Sequence, residues 1–274
     1  MMRRFLPLLM LLAACSPQAE DGIHGYLEAD YVDLAAEVAG RLKTCADEGT
    51  WLAAGSAAFE LDAAPESIEL TQRQAEAAAL QARRNEAEAG LKLARLERDR
   101  LQSLQKKHFV SREDLDRAEA AVEQAEAARK AADASLQAAE EGIRRVRWLI
   151  KQKRQVTSQP ARVERCFFES GEWVAPGRAV VRLLPRGSIK AIVYVPEARL
   201  SSIAPGNTLK LHVDGRTEPI EARIRHIAAE PEFTPPVIYS EDTRASLVYR
   251  VEAEISPQQQ RQLHPGQPVD AELP

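Results

Sequence analysis

Cys45 and Cys166 are two side chains whose type and spacing allow them to react with each other. They stand four and five residues before Gly49 and Gly171, which begin two similar stretches of sequence. If those stretches pair as equivalent halves of one unit, the two thiols meet and can oxidise to a disulfide in an oxidising compartment. The spacing thus predicts a disulfide, and the alternative of two small buried side chains that stay unbonded remains open.

The third cysteine, Cys15, ends a short N-terminal apolar stretch. Arg3 and Arg4 give residues 1–14 the positive start of a secretory signal peptide, and the apolar run that follows is far shorter than the roughly 20 residues that span a bilayer. Two alanines then precede the cysteine, as in a bacterial lipobox, where the cysteine is lipidated. We expect residues 15–25 to form a tether in the periplasm. The lipid on Cys15 would anchor this tether to the inner membrane. The alternative is a plain signal peptide with an incidental cysteine.

The sequence does not indicate catalytic chemistry. The five histidines are scattered without the spacing of metal ligands. No nucleophile elbow, phosphate-binding loop or zinc motif occurs in it. We therefore expect no enzyme activity, no cofactor and no metal site.

The composition restricts both the partners and the size of any core. Aromatic residues make up 5% of the chain and charged residues 28%, which argues against one large globular core. The formal net charge is −4, so there is no basic excess and nucleic acid is not expected as a partner. Ala, Glu, Gln and Arg concentrate within residues 66–155, a bias typical of long helices. The flanking segments are richer in residues typical of β-structure.

An internal repeat predicts how the flanking segments are organised. The pattern Gly-x-Trp-Leu/Val-Ala-x-Gly occurs at residues 49–55 and again at 171–177, each time between two β-like stretches. Each half is too small to bury a core, so we expect the two halves to combine into one interrupted β-domain. The glycines suit turns that need positive φ, and the tryptophans are expected to pack. The motif residues are Gly49, Trp51, Gly55, Gly171, Trp173 and Gly177.

The segment between the two copies is predicted to be an antiparallel helical hairpin. Apolar residues follow a 3–4 spacing from Leu115 to Ile150, a coiled-coil pattern that only Arg129 breaks. The earlier arm, at about residues 65–107, has a similar seam that is interrupted by arginines. Ser111 is a good N-cap for the second helix. At 1.5 Å per residue, each arm of roughly 40 residues extends about 60 Å.

After residue 185 the pattern changes to short alternating strands, which predict a small antiparallel barrel. The predicted fold class is an elongated α+β chain: a split β-sandwich with an inserted coiled-coil hairpin, followed by a β-barrel. The expected domains are a signal peptide (1–14), a lipid-anchored tether (15–25), the first half of the sandwich with a leading strand (26–65), the hairpin (66–155), the second half of the sandwich (156–187) and the barrel (188–274).

With this order of parts, the chain resembles the HlyD-like periplasmic adaptors, also called membrane fusion proteins. The repeat looks like the lipoyl- or biotinyl-like domain of that family, which a helical hairpin also splits. Residues 232–236 and 244–251 look like the barrel of the subgroup that is paired with ABC exporters. The sequence ends soon after the last predicted strand, without the C-terminal domain usual in adaptors of proton-driven pumps, which also favours an ABC partner. Lys43 lacks the surroundings of a true carrier lysine, so the fold is expected without carrier chemistry.

The resemblance implies a docking site at the hairpin tip. Family members that dock onto TolC-type outer-membrane channels have an arginine, a leucine four residues later and a serine seven residues further. Arg100, Leu104 and Ser111 have this spacing. Each also has an ordinary explanation, as a surface charge, a seam residue and a helix cap.

The function implied by the resemblance is that of an adaptor in a tripartite export or efflux system. Such a subunit joins an inner-membrane exporter, here an ABC permease with its ATPase, to a TolC-type outer-membrane channel, and it assembles with itself as a trimer or hexamer. The alternative is an envelope scaffold lipoprotein that uses the same coiled coil to bind another partner and has no transport role.

Overall fold

The computed structural model describes residues 22–233 and 247–274. They form two compact units, one of Tyr31–Pro185 and one of the described residues within Met1–Asp30 and Arg186–Pro274. In chain order the strands are β1 (Ile23–Ala29), β2 (Val32–Ala35), β3 (Gly40–Cys45), β4 (Trp51–Leu52), β5 (Ala57–Leu61), β6 (Arg154–Val156), β7 (Ala161–Cys166), β8 (Trp173–Val174), β9 (Ala179–Pro185), β10 (Ile189–Pro196), β11 (Thr208–Val213), β12 (Ile220–Ile227), β13 (Glu232–Phe233), β14 (Leu247–Ile255) and β15 (Pro268–Glu272). The helices are α1 (Ala64–Gln105), α2 (Arg112–Gln152), α3 (Glu197–Leu200) and a 3-10 turn at Gln259–Gln262.

The unit Tyr31–Pro185 is a β-sandwich with two long helices inserted into it. Its sheets have the strand orders β2-β9-β7-β4 and β6-β5-β3-β8, so each sheet mixes strands from before and after the helices. The core between the sheets buries Leu42 and Phe59 from the first half with Val163, Val174 and Leu183 from the second. Because neither half has enough apolar residues for a core of its own, the two distant segments fold together.

The two halves of the sandwich exchange equivalent contacts. Strand β4 pairs with β7, and its counterpart β8 pairs with β3. The Gly49 amide donates to the Val163 carbonyl at 2.7 Å, and the Gly171 amide donates to the Leu42 carbonyl at 2.8 Å. Both glycines have positive φ, at 82° and 95°, as the repeat predicts for its turns.

The second unit is a closed barrel of six antiparallel strands. Their order is β10-β1-β15-β11-β12-β14, and pairing of β14 with β10 closes the ring, with β13 added to β14. Alternate residues of β11 and β12 are buried, Leu209, Leu211 and Ile224 among them. This alternation is the pattern that predicts strands with one face towards the core.

Strand β1 belongs to the barrel and not to the sandwich. The sequence-based boundaries are wrong here, because they extend the tether to residue 25 and place the leading strand in the first half of the sandwich. Gly25 allows the observed position: a Cβ atom there would lie 2.1 Å from the carbonyl oxygen of Ile192 in β10, so only glycine permits this approach. The predicted fold class, a split sandwich with an inserted helical hairpin and a small antiparallel barrel, is confirmed.

Candidate functional site

The candidate site is the antiparallel hairpin of α1 and α2, together with its attachment to the sandwich. The helices contain 42 and 41 residues. Their facing sides bury Ala77 and Leu91 of α1 against Ala118, Val122 and Val146 of α2. Small alanines among larger aliphatic residues let the two backbones approach closely. All three buried α2 residues lie on the apolar seam that the 3–4 spacing predicts.

Two of the arginines that interrupt the predicted seams, Arg84 and Arg129, make ion pairs across the hairpin. Arg84 Nε lies 3.1 Å from Asp133 Oδ1, and Arg129 Nη1 lies 3.9 Å from Glu88 Oε2. Each arginine also approaches an acid one turn later on its own helix: Arg84 with Glu88, and Arg129 with Asp133. These four side chains therefore help to fix the register of the two helices. In the sequence, these ion pairs are indicated by acidic residues that follow each arginine at i,i+4 spacing.

A second ion pair sets the register nearer the tip. Arg95 Nη2 lies 2.7 Å from Glu126 Oε1. This hydrogen bond from Arg95 holds the pKa of the Glu126 carboxyl below its ordinary value. Because both side chains are exposed, the contact contributes more to register than to stability.

At the tip, Ser111 caps α2. Its hydroxyl oxygen accepts a hydrogen bond from the Asp114 amide at 3.1 Å, and its O–H donates to Asp114 Oδ2 at 2.5 Å. The Ser111 amide completes a capping box with the same carboxylate, whose pKa is lowered by the hydrogen bonds from the hydroxyl and the amide. The helix-cap explanation of Ser111 therefore has a direct structural basis.

The other two residues of the predicted docking pattern lie on α1. The Arg100 side chain is largely exposed, with Nη1 3.8 Å from Glu97 Oε2. Leu104 is half-buried, and its carbonyl accepts hydrogen bonds from the Lys107 and Phe109 amides in the turn. The hairpin thus brings Arg100, Leu104 and Ser111 to the same end, and their role in docking remains a prediction.

Phe109 is a tip residue that the sequence analysis did not single out. Its ring is exposed, immediately after His108, whose φ of 61° marks the tight turn. The sequence indicates a contact residue here by placing an aromatic side chain in a polar turn, because exposed aromatic rings are enriched at protein interfaces.

The base of the hairpin is joined to the sandwich by a buried lysine. Lys153, the residue after α2, points its Nζ at Glu66 Oε1 in the first turn of α1, at 2.7 Å. The same Nζ donates to the Asp62 carbonyl at 2.7 Å. Gly40 of β3 leaves room for the ammonium group, because a Cβ there would lie 3.3 Å from Nζ. A side chain at the end of α2 thus contacts the start of α1 and lies beside a sandwich strand.

Cys45 and Cys166 are joined by a disulfide in the structure, with their Cα atoms 6.6 Å apart. Cys45 ends β3 in one sheet and Cys166 ends β7 in the other, so the bond links the two sheets and the two halves of the sandwich. Lys43, the residue compared with a carrier lysine, lies within β3 and is exposed.

The expectation that the two repeat tryptophans pack was wrong. Trp51 is 52% exposed and Trp173 is 64% exposed. Each sits on a two-residue strand at the edge of its sheet, where the side chain faces away from the core. The repeat fixes the backbone turns, while its tryptophans remain on the surface.

Cys15, the predicted lipidation site, lies outside the described residues, as do residues 234–236 and 244–246 of the two segments likened to an ABC-subgroup barrel. Within 22–233 and 247–274, no group of His, Cys, Asp or Glu side chains is arranged to hold a metal ion. In the same part of the chain, no helix has both the length and the apolar character needed to cross a bilayer.

Comparisons with known proteins match the hairpin in sequence. Residues 60–143 match the family model of the α-helical hairpin domain of RND membrane fusion proteins. The UPF0194 membrane protein YbhG of Salmonella gallinarum is 33% identical over 84 residues, and UPF0194 membrane protein Ent638_1286 of Enterobacter sp. strain 638 is 32% identical over 84. Each match covers 30% of this chain and 25% of the relative, so the chain matches about a quarter of those proteins.

Comparisons of structure extend the likeness beyond the hairpin. MacA from Actinobacillus actinomycetemcomitans has a TM-score of 0.73 at 16% identity, over 91% of this chain and 76% of MacA. The membrane fusion protein Spr0693 from Streptococcus pneumoniae R6 has a TM-score of 0.52 at 14% identity, over 92% of this chain and 98% of Spr0693. The recognition made from the sequence is confirmed at this level: the chain has the fold of the membrane fusion proteins, also called periplasmic adaptors, and residues 60–143 are similar to the hairpin domain of the RND membrane fusion proteins.

Proposed function

We propose that this chain is the adaptor subunit of a tripartite export or efflux system, and that it joins an inner-membrane transporter of ABC type to a TolC-type outer-membrane channel. The observation that carries the proposal is the hairpin of 42 and 41 residues, which is attached to the sandwich only at its base. At 1.5 Å per residue, its free end lies about 60 Å from that attachment. A rigid arm of this length suits contact with a component that is far from the rest of the chain.

The other parts of the proposal concern attachment and assembly. Lipidation of Cys15 would tether the chain to the inner membrane from the periplasmic side. Copies of the chain would assemble as a trimer or hexamer, with the hairpins side by side around an exit path. Docking onto the channel would use the tip, at Arg100, Leu104 and Ser111.

The ABC type of the transporter rests on the likeness of residues 232–236 and 244–251 to the barrel of that subgroup. The matching hairpin model is named for RND adaptors, so the hairpin itself does not favour an ABC partner.

Cross-linking in intact cells, followed by purification of a C-terminally tagged chain and mass spectrometry, tests this function. The expected result is recovery of a permease with its ATPase and of an outer-membrane channel. A Cys15→Ser variant, which cannot be lipidated, is the control and should recover less of the transporter. Recovery of a proton-driven pump would correct only the ABC type. Recovery of neither a transporter nor a channel would exclude the adaptor role and favour the scaffold lipoprotein.

A further inference from the structure

The end of α2 carries a row of positive charges around an exposed tryptophan. Arg144, Arg147, Trp148 and Lys151 follow one another at i, i+3, i+4 and i+7, so their side chains share one face of the helix, here called the basic face. All four residues are exposed, and Trp148 keeps 51% of its surface in solvent. Val146, in the same stretch, is buried, so the basic face points away from the apolar seam of the hairpin.

The positive charge of the basic face is only partly neutralised. Arg144 is paired with Glu141 on the same helix. Within the described part of the chain, the side chains of Arg147 and Lys151 make no ion pair. Three cations and one acid therefore leave two net positive charges on this face.

The neighbouring helix does not supply the missing acids. The contact of Lys153 with Glu66 sets the register at the base, and counted from it Glu69 of α1 lies near the level of Ile150 of α2. Glu69 and the next acid along α1, Glu76, both approach Arg73 of their own helix. The net charge of the basic face is therefore available to a partner.

The ring of Trp148 is held by a glutamine that also reaches the sandwich. With its amide group oriented to satisfy both neighbours, Gln152 accepts a hydrogen bond from Trp148 Nε1 at 2.9 Å and donates one to Glu37 Oε2 at 3.0 Å. The polar edge of the indole is thus satisfied within the chain, and the part left in solvent is apolar. A ring that is already fixed loses little conformational entropy when it binds a partner.

Acidic residues limit the length of the basic face. Exposed Glu140 and Glu141 lie about one turn before Arg144, and exposed Glu37 lies beyond Trp148 on the side of the sandwich. From Arg144 to Lys151 the face is about 10 Å long, at 1.5 Å per residue. A flat anionic surface laid along α2 would also meet these carboxylates, and the like charges oppose it. One small molecule contacts the cations alone.

We infer that the basic face binds a single molecule of an anionic amphiphile, in which a phosphate monoester is joined to an apolar part. A phosphate monoester carries nearly two negative charges and three acceptor oxygens, which match the net charge of the face. The Arg147 guanidinium donates paired hydrogen bonds to the phosphate, and the Lys151 ammonium adds a compact charge one turn away. The apolar part lies on the Trp148 ring. The inference rests on the proposed function, because it names a class of molecule that the adaptor contacts during export.

Tryptophan fluorescence of the purified full-length chain in a neutral detergent tests the site. The chain has three tryptophans, so a variant with Trp51→Phe and Trp173→Phe reports on Trp148 alone. The probe is dihexanoyl phosphatidic acid, added as a monomer. The expected result is a saturable shift of the emission to shorter wavelength, because the apolar part of the probe covers the exposed ring. Dihexanoyl phosphatidylcholine, which has no net charge, should bind at least tenfold more weakly.

A matched pair of variants tests which charges bind the probe. In the same background, Arg147→Gln with Lys151→Gln should weaken binding of phosphatidic acid at least tenfold. Lys106→Gln with Lys107→Gln removes the same charge from exposed positions in the hairpin turn and should change binding less than twofold. Equal losses in the two variants would overturn the inference, since they would show attraction by total charge without a site.

Three further outcomes would also overturn it. Equal binding of phosphatidylcholine would show apolar contact alone. Equally strong binding of phosphatidylcholine vesicles that contain phosphatidic acid would assign the face to a bilayer surface. Displacement of the probe by an equal concentration of hexaglutamate would assign it to an acidic protein segment.

Recovery of the transporter and the channel separates this inference from the adaptor role. If the chain recovers both partners but does not bind phosphatidic acid, the inference fails and the proposed function stands. If phosphatidic acid binds with the expected dependence on Arg147 and Lys151 while neither partner is recovered, the site is supported and the adaptor role has failed.

Discussion

Lys153 Nζ lies 2.7 Å from Glu66 Oε1, inside the junction where both hairpin helices leave the sandwich. The lysine is buried, and Glu66 Oε2 is a buried oxygen without a hydrogen-bond partner among the described residues. An ammonium group in such a place needs its carboxylate, because loss of either partner leaves an uncompensated charge. The pair therefore fixes the base from which the hairpin extends.

Replacement of Lys153 should destabilise the sandwich and loosen the hairpin. Lys153→Ala is expected to lower the free energy of unfolding by about 3 kcal/mol, in the range for a broken buried ion pair. Urea denaturation measures this, and limited proteolysis near residues 62–66 should become faster. The matched control is Lys151→Ala, an exposed lysine in the last turn of α2, which should change stability by less than about 0.5 kcal/mol. A double variant, Lys153→Met with Glu66→Leu, should be more stable than Lys153→Ala; if it is not, the charge pair is not the cause.

The disulfide between Cys45 and Cys166 should add to the stability of the split sandwich. It closes a loop of 121 residues that contains the whole hairpin. The chain-entropy model gives about 4–5 kcal/mol for a loop of this length. Peptide mapping without reductant should find the two cysteines in one linked peptide pair in exported protein. Addition of dithiothreitol should lower the unfolding free energy of the native chain but leave a Cys45→Ala, Cys166→Ala variant unchanged. Two free thiols in exported protein would contradict the bond.

The Arg182–Asp33 pair should make stability depend on pH in the acid range. Arg182 donates two hydrogen bonds of 2.8 Å to the Asp33 carboxylate and holds its pKa below the ordinary value. A carboxyl whose pKa is lowered in the folded state stabilises that state above its unfolded pKa of about 4, and the contribution is lost as the pH falls through the lowered pKa. Asp33→Asn should therefore be less stable than the native chain at pH 7, and the difference should shrink below about pH 4.

The matched partner variant for that measurement is Arg182→Gln. It removes the donor from the same pair, so its pH-dependent loss should resemble that of Asp33→Asn. A constant additional loss is expected, because the guanidinium also lies over the Tyr31 and Phe167 rings at 5.5 and 5.4 Å. A difference between Asp33→Asn and the native chain that stays constant from pH 7 to pH 2 would exclude this source of pH dependence.

The features that could be predicted from the sequence are those with a local pattern. The repeated glycines at positions 49 and 171 specify the same turn twice, and the 3–4 spacing through Val122 and Val146 specifies a long helix with one apolar side. Together they imply that two distant β-segments meet and that the helices between them extend away. The role of Ser111 as the N-cap of α2 could be predicted for the same reason, because a helix cap depends only on neighbouring residues.

The features that could not be predicted depend on contacts between distant residues. An alternating strand such as β1 has no mark that assigns it to one sheet and not another, and only the close approach of Gly25 to Ile192 shows why it joins the barrel. In the sequence, Lys153 resembles the exposed Lys151 beside it, and only its contact with Glu66 distinguishes the two. Trp51 and Trp173 lie on very short edge strands, and residue type alone favours burial for a tryptophan.

The hairpin tip provides the sharpest test of docking. A photo-reactive amino acid placed at Leu104 or Phe109 should form a covalent adduct with an outer-membrane channel in intact cells. The same amino acid at Gln72, an exposed position near the base of α1, should form none, because that level of the hairpin lies about 50 Å from the tip. Adducts at all three positions, or at none of them, would count against docking by the tip.

A substitution at Phe109 asks whether the exposed ring contributes to that contact. Phe109→Asp should weaken channel capture by about tenfold, which corresponds to ~1.4 kcal/mol, because it replaces an apolar contact with a buried charge. The unfolding free energy should stay within about 0.5 kcal/mol of the native value, since the ring is exposed in the hairpin. Gln102→Asp, at another exposed position near the tip, controls for the added charge and should keep at least half of the capture. Equal losses in the two variants would show that negative charge, and not loss of the ring, weakens docking.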